Sequence, residues 1–321
     1  MYAAVVTAFD QPPLYQEFPT PQQAEGQELV TVVASAIAPR ALSQADGSHY
    51  TSTDELPLIP GVDGVARAAD GSLRYFILPD TNLGAIAEQT LIDPQRSVAL
   101  PEGVDPVVIA AAMNPAMSSW IALRRRIDFQ QGSRVLIMGA TGNAGRMAVQ
   151  ITKRLGASHV TAAGRGADKL APLTALGADT LVDLGQDEEV TARDLASAGR
   201  DVDVVIDYLW GAPTTAAMYA IVPARDDDSQ PLTWIQIGSV AGRESAIPSA
   251  ALRAINLRIV GSGQGSVSTR DILQELPGLA AEVTHGGYEI NARAVPLKDV
   301  TAAWREAATS SDRLVIVPEH S

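Results

Sequence analysis

Seven consecutive residues, Gly139-Ala140-Thr141-Gly142-Asn143-Ala144-Gly145, have the composition and spacing of an anion-binding turn. Glycines spaced G-x-x-G-x-x-G let a main chain approach a pyrophosphate closely. Where such a turn joins a strand to a helix, the unpaired N–H groups and positive end of the helix face the anion. Glycine spacing alone arises by chance in tight turns. The weight comes from the context: an apolar run before, an amphipathic segment after, and a second apolar run at the right distance. Gly139, Ala140, Thr141, Gly142, Asn143 and Ala144 are the expected contacts to a bound dinucleotide.

Which dinucleotide is bound depends on the residues at the end of the second strand. A carboxylate there, about 20 residues after the glycines, accepts from the ribose hydroxyls of NAD. This chain has Gly164-Arg165-Gly166 instead, and no acidic residue from Phe129 through Ala167, a stretch that holds Arg134, Arg146, Lys153, Arg154 and Arg165. In a protein of net charge −13 that bias is informative. A 2′-phosphate is repelled by a carboxylate and clasped by a guanidinium able to make two parallel hydrogen bonds. Arg165 is the first candidate for that contact and Lys169 the second, with Gly164 beside them, so the cofactor expected is NADPH. Arg146, Lys153 and Arg154 read as solvated surface. Gly238, Ser239 and Gly261 end later apolar runs, where ligands of open parallel sheets bind, and are expected near the nicotinamide.

The elements that must position these residues follow from periodicity. Arg134–Met138 is a short apolar run without polar alternation, as in a strand buried on both faces. Ala144, Met147, Ala148, Ile151 and Leu155 then recur at helical spacing, and Gly156 stands where a helix-ending glycine belongs. Further strands are expected at His159–Ala163, Thr180–Leu184, Val202–Leu209, Trp234–Gly238 and Arg258–Gly261. Helices are expected at Ala167–Leu176, Glu188–Ala198 and Ala212–Ile221. Strand and helix alternating at this interval imply right-handed crossovers and a doubly wound parallel sheet, an α/β fold. The first hundred residues differ: short apolar runs (Ala3–Phe9, Leu29–Ala38, Ser72–Leu78, Gly84–Ile92) broken by Pro- and Gly-bearing loops predict a small β domain. Beyond Ser266 a helix, a strand near Glu289–Val295, the helix Leu297–Ala308 and a last strand Leu314–Val317 follow, and that strand could rejoin the N-terminal β domain.

Composition narrows the function. The 321 residues are 46% hydrophobic and 19% charged, those of a globular protein with room for two cores. The acidic balance argues against a general nucleic-acid or anionic-membrane binder. The absence of cysteine removes disulfides, thiolate catalysis and any zinc site with Cys ligands. No basic-then-apolar leader and no apolar stretch approaching membrane length is read, so a cytoplasmic protein is expected. A short-chain dehydrogenase, which also opens with Gly-Ala-Thr-Gly, needs Tyr-x-x-x-Lys; no tyrosine here has a lysine four residues later.

Over essentially its whole length the chain resembles the medium-chain dehydrogenase/reductase superfamily, within it the zinc-free quinone oxidoreductase-like branch. The residues that carry this are Pro60-Gly61-Val62-Asp63-Gly64, Gly84-Ala85-Ile86-Ala87-Glu88, Leu100-Pro101-Glu102-Gly103, Arg134–Gly145, Val149–Ala157, Leu176-Gly177-Ala178-Asp179, Asp203–Asp207, Ile237-Gly238-Ser239 and Pro296–Val300, in that order. The resemblance implies a GroES-like β domain (residues 1–115), a Rossmann NADP-binding domain (116–266) and C-terminal elements completing the first (267–321). It also implies an active site in the cleft between domains and a homodimer. Zinc-dependent members use a Cys after an early strand and a His after the Pro-Gly of the Pro60 segment. Here there is no Cys, and Val62 takes the His position.

Without a metal, the chemistry implied is hydride transfer from the nicotinamide to a quinone or α,β-unsaturated carbonyl, whose conjugation spreads the developing charge onto oxygen. Tyr50 could place its hydroxyl near that oxyanion, and His49 could donate or relay a proton. The family's Ser-Gly-x-Tyr context matches Asp46–Tyr50 only with a one-residue shift, and its Asn after the early strand is Ala38. Asn114 is a third candidate, expected near the nicotinamide ribose, or else a helix cap ahead of Pro115. Two other functions compete: an enoyl-thioester reductase, for which Arg124-Arg125-Arg126 would form a basic entrance, and a non-catalytic NADPH-binding sensor or structural protein.

Overall fold

The computed structural model describes residues 1–48, 55–285 and 287–319. The chain forms two compact units, one made of Met1–Asn114 with Leu273–Ser321, the other of Pro115–Ile272.

The first unit opens with the antiparallel pair β1 (Tyr2–Val5) and β2 (Leu14–Glu17). Then come β3 (Glu28–Ala36), the short helix α1 (Pro39–Ala45), β4 (Asp63–Arg67), β5 (Leu73–Ile77), β6 (Gln89–Ile92) and β7 (Ser97–Ala99). Helix α1 lies where the sequence reading places only a loop. Proline starts it, at the position where a missing N–H costs nothing, and only Ala41 and Ala45 are buried on it. Seven residues are too few for a helical period to stand out.

Helix α2 (Pro106–Ile121) contains the unit boundary and continues as one π-turn, Ala122–Arg126. Pro106–Arg126 contains an 18-residue window of mean hydropathy 1.4, and by length and composition the helix could cross a membrane. That corrects the expectation that no such stretch exists. Its composition is that of a core helix: 67% of the apolar window is buried.

The second unit alternates as expected: β8 (Arg134–Met138), α3 (Asn143–Arg154), β9 (His159–Gly164), α4 (Ala167–Leu170), β10 (Thr180–Asp183), α5 (Glu188–Gly199), β11 (Val204–Asp207), α6 (Gly211–Ile221), β12 (Leu232–Gln236), α7 (Ala251–Ala254) and β13 (Leu257–Gly261). All pairings are parallel and the order is β10-β9-β8-β11-β12-β13. The direction of winding therefore reverses between β8 and β11, the switch point beside which such sheets bind ligands. Val135, Leu136, Ile137 and Met138 are each 0% exposed. Burial on both faces is what leaves β8 without polar alternation, and each such side chain contributes roughly 1.5–3 kcal/mol. The expected helix Ala167–Leu176 is instead a single α-turn followed by a 3₁₀ turn at Ala171–Thr174, since Pro172 has no N–H to continue the ladder.

The chain re-enters the first unit within α8 (Thr269–His285), then adds β14 (Ala292–Pro296), α9 (Val300–Ala307) and β15 (Arg313–Val317). β15 pairs antiparallel with β3, through Val315 with Ala36 and Ile316 with Ser35. The first unit's large sheet thus runs β14-β15-β3-β4-β5-β7, with β6 also on β3. Leu314, Ile316, Val300 and Trp304 pack there with Ala4, Val6, Ile37 and Leu58.

Candidate functional site

In the second unit, the turn from β8 to α3 is shaped by its glycines for different reasons. Gly139 has φ +86°, a left-handed conformation that favours glycine. A Cβ on Gly145 would lie 2.3 Å from the Gly139 carbonyl oxygen, and one on Gly164 would lie 2.6 Å from Thr141 Cγ2, so both positions are closed by packing. Gly142 is different. Its φ of −80° suits any residue, and a Cβ there would meet nothing nearer than 3.8 Å. Neither backbone nor packing requires glycine at 142. It keeps clear the space in front of the helix.

The main-chain donors divide in the same way. The Gly139 and Ala140 amides both donate to the Ala163 carbonyl of β9, at 2.8 and 2.9 Å, and so fix the turn. The Gly142 amide bends back to the Gly139 carbonyl at 3.3 Å. Asn143, Ala144 and Gly145, in the first turn of α3, are the amides that an α-helix leaves without an internal acceptor. These amides lie one step further along the chain than the first glycines of the spacing.

A cavity of about 950 Å³ starts at this turn. Gly139, Thr141, Gly164 and Arg165 line one end, and Glu188 also faces it. Apolar residues of α5 (Ala192, Leu195) and α6 (Ala212, Ala216) form part of its walls, with Gln186, Thr191 and Tyr219 beside them. Arg165 is exposed at the end of β9. Of the other cations in the acid-free stretch, Arg134 pairs with Asp201 at 2.9 Å and Lys153 with Asp179 at 2.6 Å. Lys169 is not among the lining residues; its side chain runs near Gly166. Asp183, at the end of β10, accepts through Oδ1 from Gly166 N at 3.1 Å and Gly185 N at 2.8 Å, and through Oδ2 from Gln186 Nε2 at 3.5 Å.

Leu209, which lines the cavity, is set by a buried carboxylate. Asp207 is 0% exposed. It accepts from Leu209 N (2.8 Å), Trp210 N (3.0 Å), Thr214 Oγ1 (2.6 Å) and Trp234 Nε1 (2.9 Å). These four donors hold Trp210 at φ +55°, an uncommon angle for a bulky residue. Next to it, the Tyr208 hydroxyl meets Ser118 Oγ at 2.9 Å, and burial pushes its pKa up to about 12. Gly238 follows β12, where a Cβ would lie 2.6 Å from the Tyr208 carbonyl oxygen; Ser239 is exposed. Gly261 ends β13 and accepts Arg126 Nε at 2.6 Å. The three residues share the carboxyl end of the sheet but do not line the cavity. The arginine cluster is partly absorbed by the fold, since Arg124 also lies 4.9 Å above the Trp120 ring.

In the first unit, Asn114 lies within α2, which runs on through Pro115, so it is not a helix cap. Its Nδ2 donates to Asp63 Oδ1 at 3.4 Å. Asp63 is 2% exposed and accepts Tyr75 Oη at 2.7 Å. Burial raises the Asp63 carboxyl to about 6, against the opposing pull of Tyr75, Arg313, Arg40 and Asn114. Burial, and then the Asp63 charge, hold the Tyr75 phenol well above its ordinary range. Sequence reasoning missed Asp63, Tyr75, Tyr208 and Arg313 as site candidates. Asp63 stood inside one of the segments carrying the resemblance, but its partners come from remote strands. His49 and Tyr50 lie outside the described residues.

A chain with a parallel sheet wound in this order and a glycine turn at its switch point has the build of a dinucleotide-dependent dehydrogenase. Residues 144–277 match the family described as zinc-binding dehydrogenase. The chain is 29% identical to the probable NADPH-dependent quinone reductase tdiC of Emericella nidulans, over 99% of this chain and 100% of that one. It is 25% identical to the chloroplastic NADPH-dependent alkenal/one oxidoreductase of Arabidopsis thaliana, over 59% of this chain and 51% of the relative. Among solved structures, the quinone oxidoreductase of Thermus thermophilus superposes with a TM-score of 0.83 at 23% identity, covering 99% of this chain and 100% of that chain. The quinone oxidoreductase of Pseudomonas syringae gives 0.80 at 18%, covering 99% and 98%. The chain thus shares the fold of these quinone oxidoreductases over its whole length and is similar in sequence to tdiC from end to end.

The zinc in the family's description does not fit the residues present. There is no cysteine, Val62 is an apolar residue 8% exposed, and among the described residues no three His, Asp or Glu side chains gather as a metal-holding group.

Proposed function

We propose that this protein is an NADPH-dependent oxidoreductase that reduces quinones or α,β-unsaturated carbonyls. One observation carries the reading: Gly142 is glycine without a conformational or packing reason, in front of an α-helix start and beside a cavity that reaches Arg165. A ligand's close approach supplies the missing reason. The similarity to tdiC over both full lengths supports the same reading.

The roles of the residues follow from their chemistry. The amides of Asn143 and Ala144, with Thr141 and Gly142 leaving room, take the pyrophosphate, while Gly139 and Ala140 hold the turn. The apolar walls of α5 and α6 shield the adenosine. Arg165 takes the 2′-phosphate, with Lys169 at most a longer-range charge. Gly238, Ser239 and Gly261 orient the nicotinamide, and the bound cofactor supplies the hydride. Asn114, Tyr50 and His49 are assigned to hydrogen bonding near the acceptor's oxygen, where charge develops. The first unit is assigned the substrate side of the reaction and the second the dinucleotide. We further assign a cytoplasmic homodimer acting on small molecules, with no nucleic-acid or membrane partner. β13 is an end strand whose Leu257 and Ile259 are only half-buried, a ready edge for a second copy.

The test is a side-by-side titration with NADPH and NADH, followed by turnover on small quinones, alkenals and enoyl thioesters. NADPH should bind at least about tenfold tighter, roughly 1.4 kcal/mol, and be consumed with quinones or alkenals. Activity confined to thioesters would move the assignment to an enoyl-thioester reductase. Binding without turnover on any acceptor would leave a non-catalytic NADPH-binding protein.

A further inference from the structure

The first unit holds a buried ionisable group that the proposed reaction does not use directly. Asp63 opens β4, held by Ser35 Oγ on its carbonyl at 2.9 Å. On the sheet, Asp63 pairs with Ile77 and Val65 with Tyr75, so Asp63 and Tyr75 are diagonal neighbours on one face. The carboxylate's two oxygens are divided between two donors, Tyr75 Oη on Oδ2 and Asn114 Nδ2 on Oδ1. The charged groups facing it are Arg313 from β15 and Arg40 from α1, the latter paired with Asp80. Arg313 is 4% exposed, and its Nε and Nη2 have no hydrogen-bond partner; it acts on Asp63 through its charge.

We propose that Asp63 is a positioning residue that decides which end of the Asn114 amide is free to meet a ligand. An asparagine side chain donates at one end and accepts at the other. Facing an ionised carboxylate, which only accepts, the amide must present Nδ2 and leave Oδ1 free as an acceptor. Tyr75 remains a phenol and keeps donating to Oδ2. When Asp63 takes up a proton, that proton therefore belongs on Oδ1, facing Asn114. Two donors then oppose each other, so the amide turns over, accepts through Oδ1 and presents Nδ2 outward. One proton on Asp63 thus exchanges an acceptor for a donor at Asn114. The raised carboxyl, at about 6, puts that exchange within the neutral range.

The consequence for catalysis rests on the reading that Asn114 contacts the bound cofactor or substrate; the exchange itself does not. It is tested on the full chain without cofactor, labelled with ¹⁵N-asparagine, following the Asn114 side-chain NH₂ resonance from about pH 4.5 to 8, a window spanning the raised carboxyl value. The resonance is assigned by its loss in Asn114→Ala. The expected result is one inflection near pH 6, absent in Asp63→Asn and moved to higher pH in Tyr75→Phe, which loses a hydrogen bond to the charged form. A resonance with no inflection in this window overturns the proposal. So does an inflection that survives Asp63→Asn, or one left in place by Tyr75→Phe should the first variant fail to fold. In parallel, kcat/KM for a small quinone should show the same inflection, flat in Asp63→Asn and in Asn114→Ala. Failure to reduce any acceptor would sink the functional reading and leave the resonance test standing. An active enzyme with no inflection at Asn114 would sink the positioning role alone.

Discussion

The glycine turn at residues 139–145 and the cluster around Asp63 achieve positioning by opposite means. The turn is seven consecutive residues acting through main-chain amides, with no titratable side chain among them, its shape fixed by two hydrogen bonds to Ala163 and by close packing at Gly145 and Gly164. The cluster draws Asp63, Tyr75, Asn114 and Arg313 from β4, β5, α2 and β15 and acts through side chains, of which Asp63, Tyr75 and Arg313 are withdrawn from water and Asn114 is half-buried. A main-chain site keeps its charge pattern at any pH, whereas a buried carboxylate carries an equilibrium with it. Binding of an invariant anion suits the first design, and a group whose hydrogen-bonding sense can change suits the second.

Within the turn, two glycines separate packing from ligand access. Gly145→Ala should destabilise the protein by about 4 kcal/mol, the range of changes that force backbone apart, because its Cβ would sit 2.3 Å from a carbonyl oxygen. Denaturant melts read this directly; a stable Gly145→Ala variant would show that the turn is not closed by packing. Gly142→Val should leave the melt unchanged and weaken NADPH roughly 100-fold, about 2.7 kcal/mol, measured by fluorescence titration. If Gly142→Val binds normally, the space in front of α3 is not the pyrophosphate site.

Asp63 should give the protein a pH dependence the turn lacks. Its folded-state pKa of about 6 lies above the ordinary carboxyl value of 3.8. The folded state therefore holds the proton more tightly, and the contribution is fully present only below the unfolded value. It is lost as pH rises through the folded one. Relative to Asp63→Asn, the natural protein should lose about 2 kcal/mol of stability between about pH 4 and pH 8. Parallel urea titrations of the two proteins check this, and an unchanged difference would contradict the buried carboxylate. The smallest effect concerns the rim of the cavity. Arg165→Asp should abolish the preference for NADPH over NADH, about tenfold or 1.4 kcal/mol, whereas Lys169→Ala should change it less than twofold, because Lys169 does not line the cavity. A larger loss from Lys169→Ala would reverse the two assignments.

Much of the second unit was legible because its signals are local. β8 is an unbroken apolar run because both faces are covered, α3 shows its apolar stripe, and Gly156 closes that helix with φ +95°. The misses have equally local causes. Seven residues of α1 carry no period, and Pro172 converts the latter part of an expected helix into a 3₁₀ turn. Pro106–Arg126 was not recognised as membrane-like in composition because small alanines and polar Asn114, Ser118 and Ser119 interrupt it.

By itself, the amino-acid order determined the alternation of strands and helices, the glycine turn between β8 and α3, and Arg165 at the position where a carboxylate would select NAD. Each depends on neighbours a few positions away, so spacing and residue type are enough. The tertiary structure alone decided which amides of the turn are spent on Ala163 and which remain, that Arg165 rather than Lys169 lines the cavity, and that Asn114 answers to Asp63 and Tyr75. Those outcomes depend on distances between residues far apart in the chain, which only the packed sheets set.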